Sequence, residues 1–127
     1  MKLININSLD AFDFLSQKVD SHLIDTRSDL EWKTTGIPDL SSINKETYLI
    51  NWGPILDQNF FDKYKKFLVV NFNQNDTLFF ICRSGSRSLM ASQFAIKFGF
   101  KNSFNIFEGF CNQNDQNWKK NLPVKFI

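Results

Sequence analysis

The sequence predicts a single α/β domain, spanning residues 1–127, with a central and mostly parallel sheet of about five strands and helices on both faces. Its 127 residues are the usual length of one domain, and no internal repeat or linker divides them. Strand-like and helix-like segments alternate along the chain, which is typical of parallel α/β folds. The run Thr77–Cys82 is apolar after its first residue, as in a central strand covered on both faces.

The first half of the chain contains short elements. Residues 3–7 alternate apolar and polar side chains, which predicts a strand. Ser8 is predicted to cap the helix that follows, because several apolar side chains after it recur on one side. His22–Asp25 and Tyr48–Asn51 are predicted as short strands, and Asp29–Lys33 as one helical turn between them.

The second half contains the stronger patterns. Phe60–Phe67 is amphipathic and predicts a helix, which the polar turn Asn71–Asp76 separates from the buried strand Thr77–Cys82. Leu89–Phe98 has helical spacing of its apolar residues, and Ser103–Phe107 is predicted as the last strand.

Composition narrows the classes of partner. The net charge of +2 and the pI near 8.6 are too mild to predict nucleic-acid binding, which needs a dense basic face. No apolar run approaches the roughly 18 residues of a membrane span. The N-terminal residues lack the continuous apolar region of a signal peptide, so we expect a cytoplasmic protein that binds neither nucleic acid nor membrane.

The two cysteines, Cys82 and Cys111, are too few for a disulfide framework or a four-cysteine zinc site. The single histidine, His22, does not complete a mixed zinc site. We therefore expect no metal, no organic cofactor and a reducing compartment in which a free thiol persists.

Cys82 ends the strongest strand, at the edge of the sheet where open α/β folds bind ligands. Six residues lead from it into the next helix, which is predicted to begin at the last of them: Arg83, Ser84, Gly85, Ser86, Arg87 and Ser88. Gly85 permits a tight turn whose backbone N–H groups point inward and, with both arginines, favour the thiolate form of Cys82. Ser88 offers a hydroxyl to the thiolate or to the helix end. The alternative is an inert packed cysteine followed by a solvated turn.

The segment from Cys82 to Ser88 resembles the active-site loop of single-domain, bacterial rhodanese-like sulfurtransferases. The resemblance continues over nearly the whole chain, in the same order, at Leu23–Arg27 with Glu31-Trp32, at Phe107–Gly109 and at Trp118–Val124. It implies a rhodanese-like domain with thiosulfate sulfurtransferase activity. Cys82 would carry sulfane sulfur as a persulfide, taken from thiosulfate or a similar small anion and passed to cyanide, a thiol or a protein cysteine.

Loop length separates this family from its relatives. Four residues lie between Cys82 and Arg87, as in the sulfurtransferases, whereas related cysteine phosphatases have five and so make room for a phosphate ester. A cysteine phosphatase or arsenate reductase remains one alternative. A rhodanese-like binding module without activity is the other.

The resemblance also suggests roles for residues outside the loop. Asp25, Arg27 and Glu31 are expected to form a partly buried carboxylate–guanidinium network that supports the loop after the second strand, rather than an acid–base set. Glu108 either faces the cysteine loop or caps a turn. Phe110 replaces the second glycine of the family's Glu-Gly-Gly segment, and either lies exposed as a docking residue or packs under the C-terminal tail.

The two arginines of the loop are expected to differ. Arg87 is predicted to set the loop and the electric field at Cys82, and Arg83 to project to the rim and meet anionic donors. Because no second domain covers the loop, the Cys82 persulfide is expected to be accessible from one face. Cys111 either forms a disulfide with Cys82 during the cycle or has no role in it.

Overall fold

The computed structural model of the chain describes residues 4–113 and 115–127. Its strands are β1 (Asn5–Ile6), β2 (Ser21–Asp25), β3 (Ile37–Pro38), β4 (Tyr48–Leu49), β5 (Thr77–Ile81), β6 (Ser103–Ile106) and β7 (Val124–Lys125). Five of them form one parallel sheet in the order β1–β6–β5–β2–β4, with β5 at its centre. The predicted α/β fold with a five-stranded parallel sheet is confirmed. Leu3, which the sequence assigned to the first strand, lies outside the described residues.

The helices are α1 (Ser8–Gln17), α2 (Asp29–Thr35), α3 (Gln58–Asn71), α4 (Ser86–Lys97) and α5 (Trp118–Asn121). The cap of α1 is Asn7 rather than Ser8, because the Asn7 side chain accepts a hydrogen bond from the N–H of Asp10. In α2, Ser28 and Glu31 form a reciprocal capping box, and the helix is longer than the single turn expected. Within the described residues, no helix has both the length and the apolar character needed to cross a membrane.

Both faces of the sheet are buried, because alternate side chains of β5 point to opposite sides. Leu78 and Phe80 pack with residues of α3 and α4 on one face. Phe79 and Ile81 pack on the other face with residues of α1 and with Trp118 of α5. The uninterrupted apolar run therefore indicated the central position of β5 correctly.

A second, antiparallel sheet pairs β3 with β7 and ties the C-terminal segment to the loop after α2. The sequence did not predict it, because a strand of two residues has no measurable periodicity. Its register pairs Ile37 with Lys125 and Pro38 with Val124.

Candidate active site

Cys82 lies immediately after β5, between the carboxyl ends of the neighbouring strands β2 and β6. It has no solvent-exposed surface. The position at the end of a central strand is the one the sequence predicts, but the expected access from one face is not found in this conformation.

Gly85 shapes the turn that covers the sulfur. Its φ of +105° is unfavourable for other residues, and a Cβ atom there would lie 2.5 Å from the carbonyl oxygen of Phe107. The Gly85 N–H donates a hydrogen bond to Cys82 Sγ at 3.1 Å. Because Gly85 is also the N-cap, α4 begins at Ser86, two residues before the predicted start at Ser88. Ser88 thus lies in the first turn, with its hydroxyl oxygen 3.2 Å from Cys82 Sγ.

Arg87 is held beside the loop by a carboxylate of α2. Its Nη1 and Nη2 atoms donate to Glu31 Oε1 and Oε2 at 2.7 and 3.0 Å. This bidentate hydrogen bond is the main reason why the pKa of Glu31 is lowered to about 2 and the pKa of Arg87 is raised. A thiolate at Cys82 would raise the pKa of Arg87 further, so the guanidinium and the sulfur are close enough to interact electrostatically.

A second carboxylate–guanidinium pair is completely buried. Arg27 and Asp25 form a salt bridge of 2.7 Å, and the guanidinium also donates to Thr35 Oγ1 and to the carbonyl oxygen of Gly36. The expected three-residue network is therefore wrong in one respect: Glu31 pairs with Arg87 of the cysteine loop and not with Arg27. Asp25 and Arg27 form one pair, and Glu31 belongs to a separate pair with Arg87 because α2 carries Glu31 toward α4.

The Glu108 side chain is bonded to the first residue of α1. Its Oε1 atom accepts hydrogen bonds from the backbone N–H and the hydroxyl of Ser8, at 2.7 and 3.0 Å. Ser8 is the first residue of α1, so the carboxylate also lies at the positive end of that helix. Glu108 thus bonds to the start of a helix, and neither the contact with the cysteine loop nor the turn cap is found among the described residues.

The residues after Glu108 clamp the cysteine loop. Phe110 N–H donates to the carbonyl oxygen of Cys82 at 2.7 Å, and Cys111 N–H donates to that of Arg83 at 3.2 Å. Gly109 has a φ of +76°, and a Cβ atom there would collide with the Arg83 carbonyl oxygen. The glycine of the Glu-Gly segment is thus needed for close approach of two backbones.

Phe110 is fully buried and packs in the same core cluster as Trp118. The Arg27 guanidinium carbon lies 3.9 Å from the centre of its ring, a cation–π contact. The docking role suggested for an exposed Phe110 is therefore wrong, and its packing under the C-terminal segment is confirmed.

The outer side of the loop is open to solvent. Arg83, Ser84 and Ser86 are exposed. Two of them border a groove together with the segment after β6, lined by Arg83, Ser84, Cys111, Asn112 and Gln113. Cys111 is half-buried, and both cysteines are free thiols.

The part of the chain that the structure describes contains no cluster of three side chains suited to bind a metal ion.

Asn105 of β6 is a site residue that the sequence analysis missed. Its Oδ1 atom lies 2.6 Å from the hydroxyl oxygen of Ser88, and its Nδ2 atom donates to the carbonyl oxygen of Gly85 at 3.2 Å. The side chain is 2% exposed. The available signal was a polar residue between Phe104 and Ile106 in the segment predicted as the last strand.

Comparison with known proteins identifies relatives over nearly the full length. A family model described as a rhodanese-like domain matches residues 8–114. An uncharacterized protein of Rickettsia conorii is 39% identical over 128 residues, covering 99% of this chain and 100% of the relative. An uncharacterized protein of Rickettsia prowazekii is 38% identical with the same coverage.

Solved structures share the fold. The crystal structure of Rv0390 from M. tuberculosis has a TM-score of 0.81 at 27% identity, covering 95% of this chain and 96% of that one. The polysulfide-sulfur transferase homodimer from Wolinella succinogenes has a TM-score of 0.64 at 20% identity, covering 98% of this chain and 80% of that one. At that identity, the second likeness concerns the fold alone.

Proposed function

Because the chain belongs to the rhodanese-like domain family, we propose that it is a sulfurtransferase that carries sulfane sulfur as a persulfide on Cys82. The observation that carries the proposal is the environment of the Cys82 sulfur. It lies at the N-terminus of α4, accepts the Gly85 N–H and is electrostatically coupled to Arg87. All three features favour a negative charge at this position.

The proposed reaction has two displacements. The Cys82 thiolate attacks the outer sulfur of thiosulfate, the S–S bond of thiosulfate breaks, and its electron pair leaves with sulfite. The charge then resides on the outer sulfur of the Cys82 persulfide. A thiolate of a small molecule or protein, or cyanide, attacks this outer sulfur in the second displacement and regenerates the Cys82 thiolate. The covalent intermediate divides one difficult transfer into two easier ones.

The loop supplies the electrostatic stabilisation for both steps. The N-terminus of α4 offers backbone N–H groups that suit an anionic sulfur as well as a thiolate. Arg83 is exposed at the rim, and we propose that it attracts the anionic donor. A reactive thiol of this kind needs a reducing environment, so the proposal assigns the activity to the cytoplasm.

Intact-protein mass spectrometry tests the proposal. Reduced protein is treated with thiosulfate, or with polysulfide in a parallel sample, and desalted before measurement. The expected result is a gain of one sulfur atom that cyanide removes again. Cys111→Ser is expected to gain the sulfur as well, whereas Cys82→Ser gains none.

Two results would contradict the proposal. A folded and reduced wild-type protein that gains no sulfur from either donor would favour the binding module without activity. Hydrolysis of a phosphomonoester that is lost in Cys82→Ser would favour the phosphatase alternative, although the four-residue spacing between Cys82 and Arg87 argues against it.

A further inference from the structure

Three buried side chains form a continuous hydrogen-bonded chain beneath the cysteine loop. Cys82 Sγ lies 3.2 Å from the hydroxyl oxygen of Ser88, which lies 2.6 Å from Asn105 Oδ1. Cys82 and Ser88 are 0% exposed, and Asn105 is 2% exposed. At this burial, the hydrogen bonds of these groups depend on one another rather than on bulk water.

The orientation of the Asn105 amide follows from its other partners. One of its terminal atoms faces the carbonyl oxygen of Gly85 at 3.2 Å, and a carbonyl oxygen only accepts hydrogen bonds. That atom is therefore the amide nitrogen, which also lies 3.0 Å from Asn5 Oδ1. The atom facing Ser88 is then the amide oxygen, which only accepts.

Ser88 has one hydroxyl proton and two neighbours that compete for it. When Cys82 is a thiol, Ser88 donates to Asn105 Oδ1 and accepts the hydrogen bond of the S–H group. When Cys82 is a thiolate, Ser88 donates its only hydroxyl proton to the sulfur. Asn105 Oδ1 then loses the hydrogen bond from Ser88. An unpartnered buried acceptor is unfavourable, so Asn105 opposes donation to the thiolate.

We propose that Asn105 is a positioning residue that holds the hydroxyl proton of Ser88 away from Cys82 and so favours the thiol and persulfide states over the free thiolate. The persulfide part of this inference rests on the proposed function. In the persulfide the charge has moved to the outer sulfur and Cys82 Sγ is neutral, so Ser88 again donates to Asn105 without competition. Loading of sulfur onto Cys82 is therefore coupled to the return of the Ser88 hydrogen bond to Asn105 Oδ1.

The charged groups around Cys82 act separately from this chain. Arg87 of α4 is the cation coupled to the sulfur, and Glu31 of α2 neutralises part of its charge. Asp25, at the end of β2, also acts on Arg87 but is paired with Arg27. None of these residues hydrogen-bonds to Ser88 or Asn105 among the described residues, so substitutions at Asn105 leave these charges in place.

A double-mutant cycle tests the inference. The rate of Cys82 alkylation by iodoacetamide is measured against pH in a Cys111→Ser background, for the parent, Asn105→Leu, Ser88→Ala and the double variant. Asn105→Leu frees the Ser88 proton for the thiolate, so the pH midpoint of alkylation is expected to fall by about one unit. In the Ser88→Ala background, Asn105→Leu is expected to leave the midpoint unchanged.

The double-mutant cycle distinguishes an effect of Asn105 on the Ser88 hydroxyl proton from a structural effect of Asn105 on the loop. Distortion of the loop through the lost Gly85 contact would shift the midpoint equally in both backgrounds, and that result would overturn the inference. An unchanged or higher midpoint in Asn105→Leu would overturn it too. Asn5→Ala, which removes only the other partner of the Asn105 amide nitrogen, is the control and is expected to show no shift.

Two measures keep the test decisive. If thermal unfolding shows that Asn105→Leu is not folded, Asn105→Val takes its place, because a β-branched side chain suits strand β6. Alkylation needs no sulfur donor, so the cycle gives its result even if thiosulfate fails to load Cys82. Failure of the proposed function and failure of this inference are therefore distinguishable.

Discussion

Two arginine–carboxylate pairs lie at the same edge of the sheet and differ mainly in burial. The side chains of Arg27 and Asp25 are 1% and 0% exposed, whereas those of Arg87 and Glu31 are 31% and 26% exposed. The buried pair joins the end of β2 to the loop after α2. The half-exposed pair joins α2 to the first turn of α4, beside Cys82. The first is suited to hold the fold together and the second to hold the cysteine loop.

The largest effect is expected when the buried pair is broken. Arg27→Met leaves the Asp25 carboxylate buried without its partner, and we expect the free energy of unfolding to fall by about 3–5 kcal/mol. Urea denaturation measures this change. Arg83→Met, at an exposed arginine of the same edge, is the control and should change stability by less than about 0.5 kcal/mol. Equal effects of the two substitutions would remove the distinction between the pairs.

Breaking the half-exposed pair is expected to affect activity more than stability. Arg87→Met should lower the free energy of unfolding by about 1 kcal/mol or less, because the pair is partly solvated. The rate of sulfur loading on Cys82 should fall by about tenfold or more, since the loop loses the cation coupled to the sulfur. Arg87→Lys keeps the charge without the bidentate geometry and should be intermediate. Loading at the wild-type rate in Arg87→Met would show that this pair is only structural.

The difference between the pairs also shows what a sequence reveals. The cysteine loop is predictable because its features are local: an apolar strand ends just before Cys82, and Gly85 permits the turn into a helix. The partner of Arg87 is not local, since Glu31 is 56 positions away and the pairing depends on the direction of α2. The sequence analysis instead placed Glu31 in one network with Asp25 and Arg27.

Asn105 was missed for the same reason. Its contact with Ser88 depends on the parallel register that sets Asn105 opposite Phe80, and on the start of α4. Residues 2–6 positions apart can be placed by helix and turn geometry, but a register between strands is fixed by the packing of the whole sheet. Local motifs thus indicated Cys82 and its loop, whereas the contact between Asn105 and Ser88 depends on the whole fold.

A third prediction concerns Arg83, the other arginine of the cysteine loop. Arg83 is exposed and forms no ion pair among the described residues, so its charge is available to an anionic donor. Arg83→Ala should raise the thiosulfate concentration for half-maximal loading by up to about fivefold, with the maximal rate kept, because an exposed ion pair contributes about 1 kcal/mol at most. Lys63→Ala on α3 is a matched loss of one exposed positive charge and should change neither value. A fall in the maximal loading rate of Arg83→Ala would mean that Arg83, like Arg87, acts on the loading step and not only on attraction of the donor.

The smallest expected effect is a pH-dependent difference in the free energy of unfolding between wild type and Glu31→Gln. Glu31→Gln removes the charge that pairs with Arg87, but glutamine still serves in the capping box with Ser28, so α2 keeps its start. The folded pKa of Glu31 is about 2, below its usual value of 4.5, so its ion pair adds stability above about pH 4.5 and loses it as the pH falls through about 2. Wild type should exceed Glu31→Gln in stability by about 1 kcal/mol or less near neutral pH. This difference should be constant down to about pH 5 and shrink between about pH 4.5 and about pH 2.

Urea denaturation of both proteins at about pH 7 and about pH 3 measures that difference. A gap that stays constant over this interval would mean that the charge of Glu31 is not the source of the stability difference. A gap of several kcal/mol at neutral pH would mean that the half-exposed pair behaves like the buried one. In the expected case, the Glu31–Arg87 pair contributes little to the fold, and its main consequence is the position of a positive charge next to Cys82.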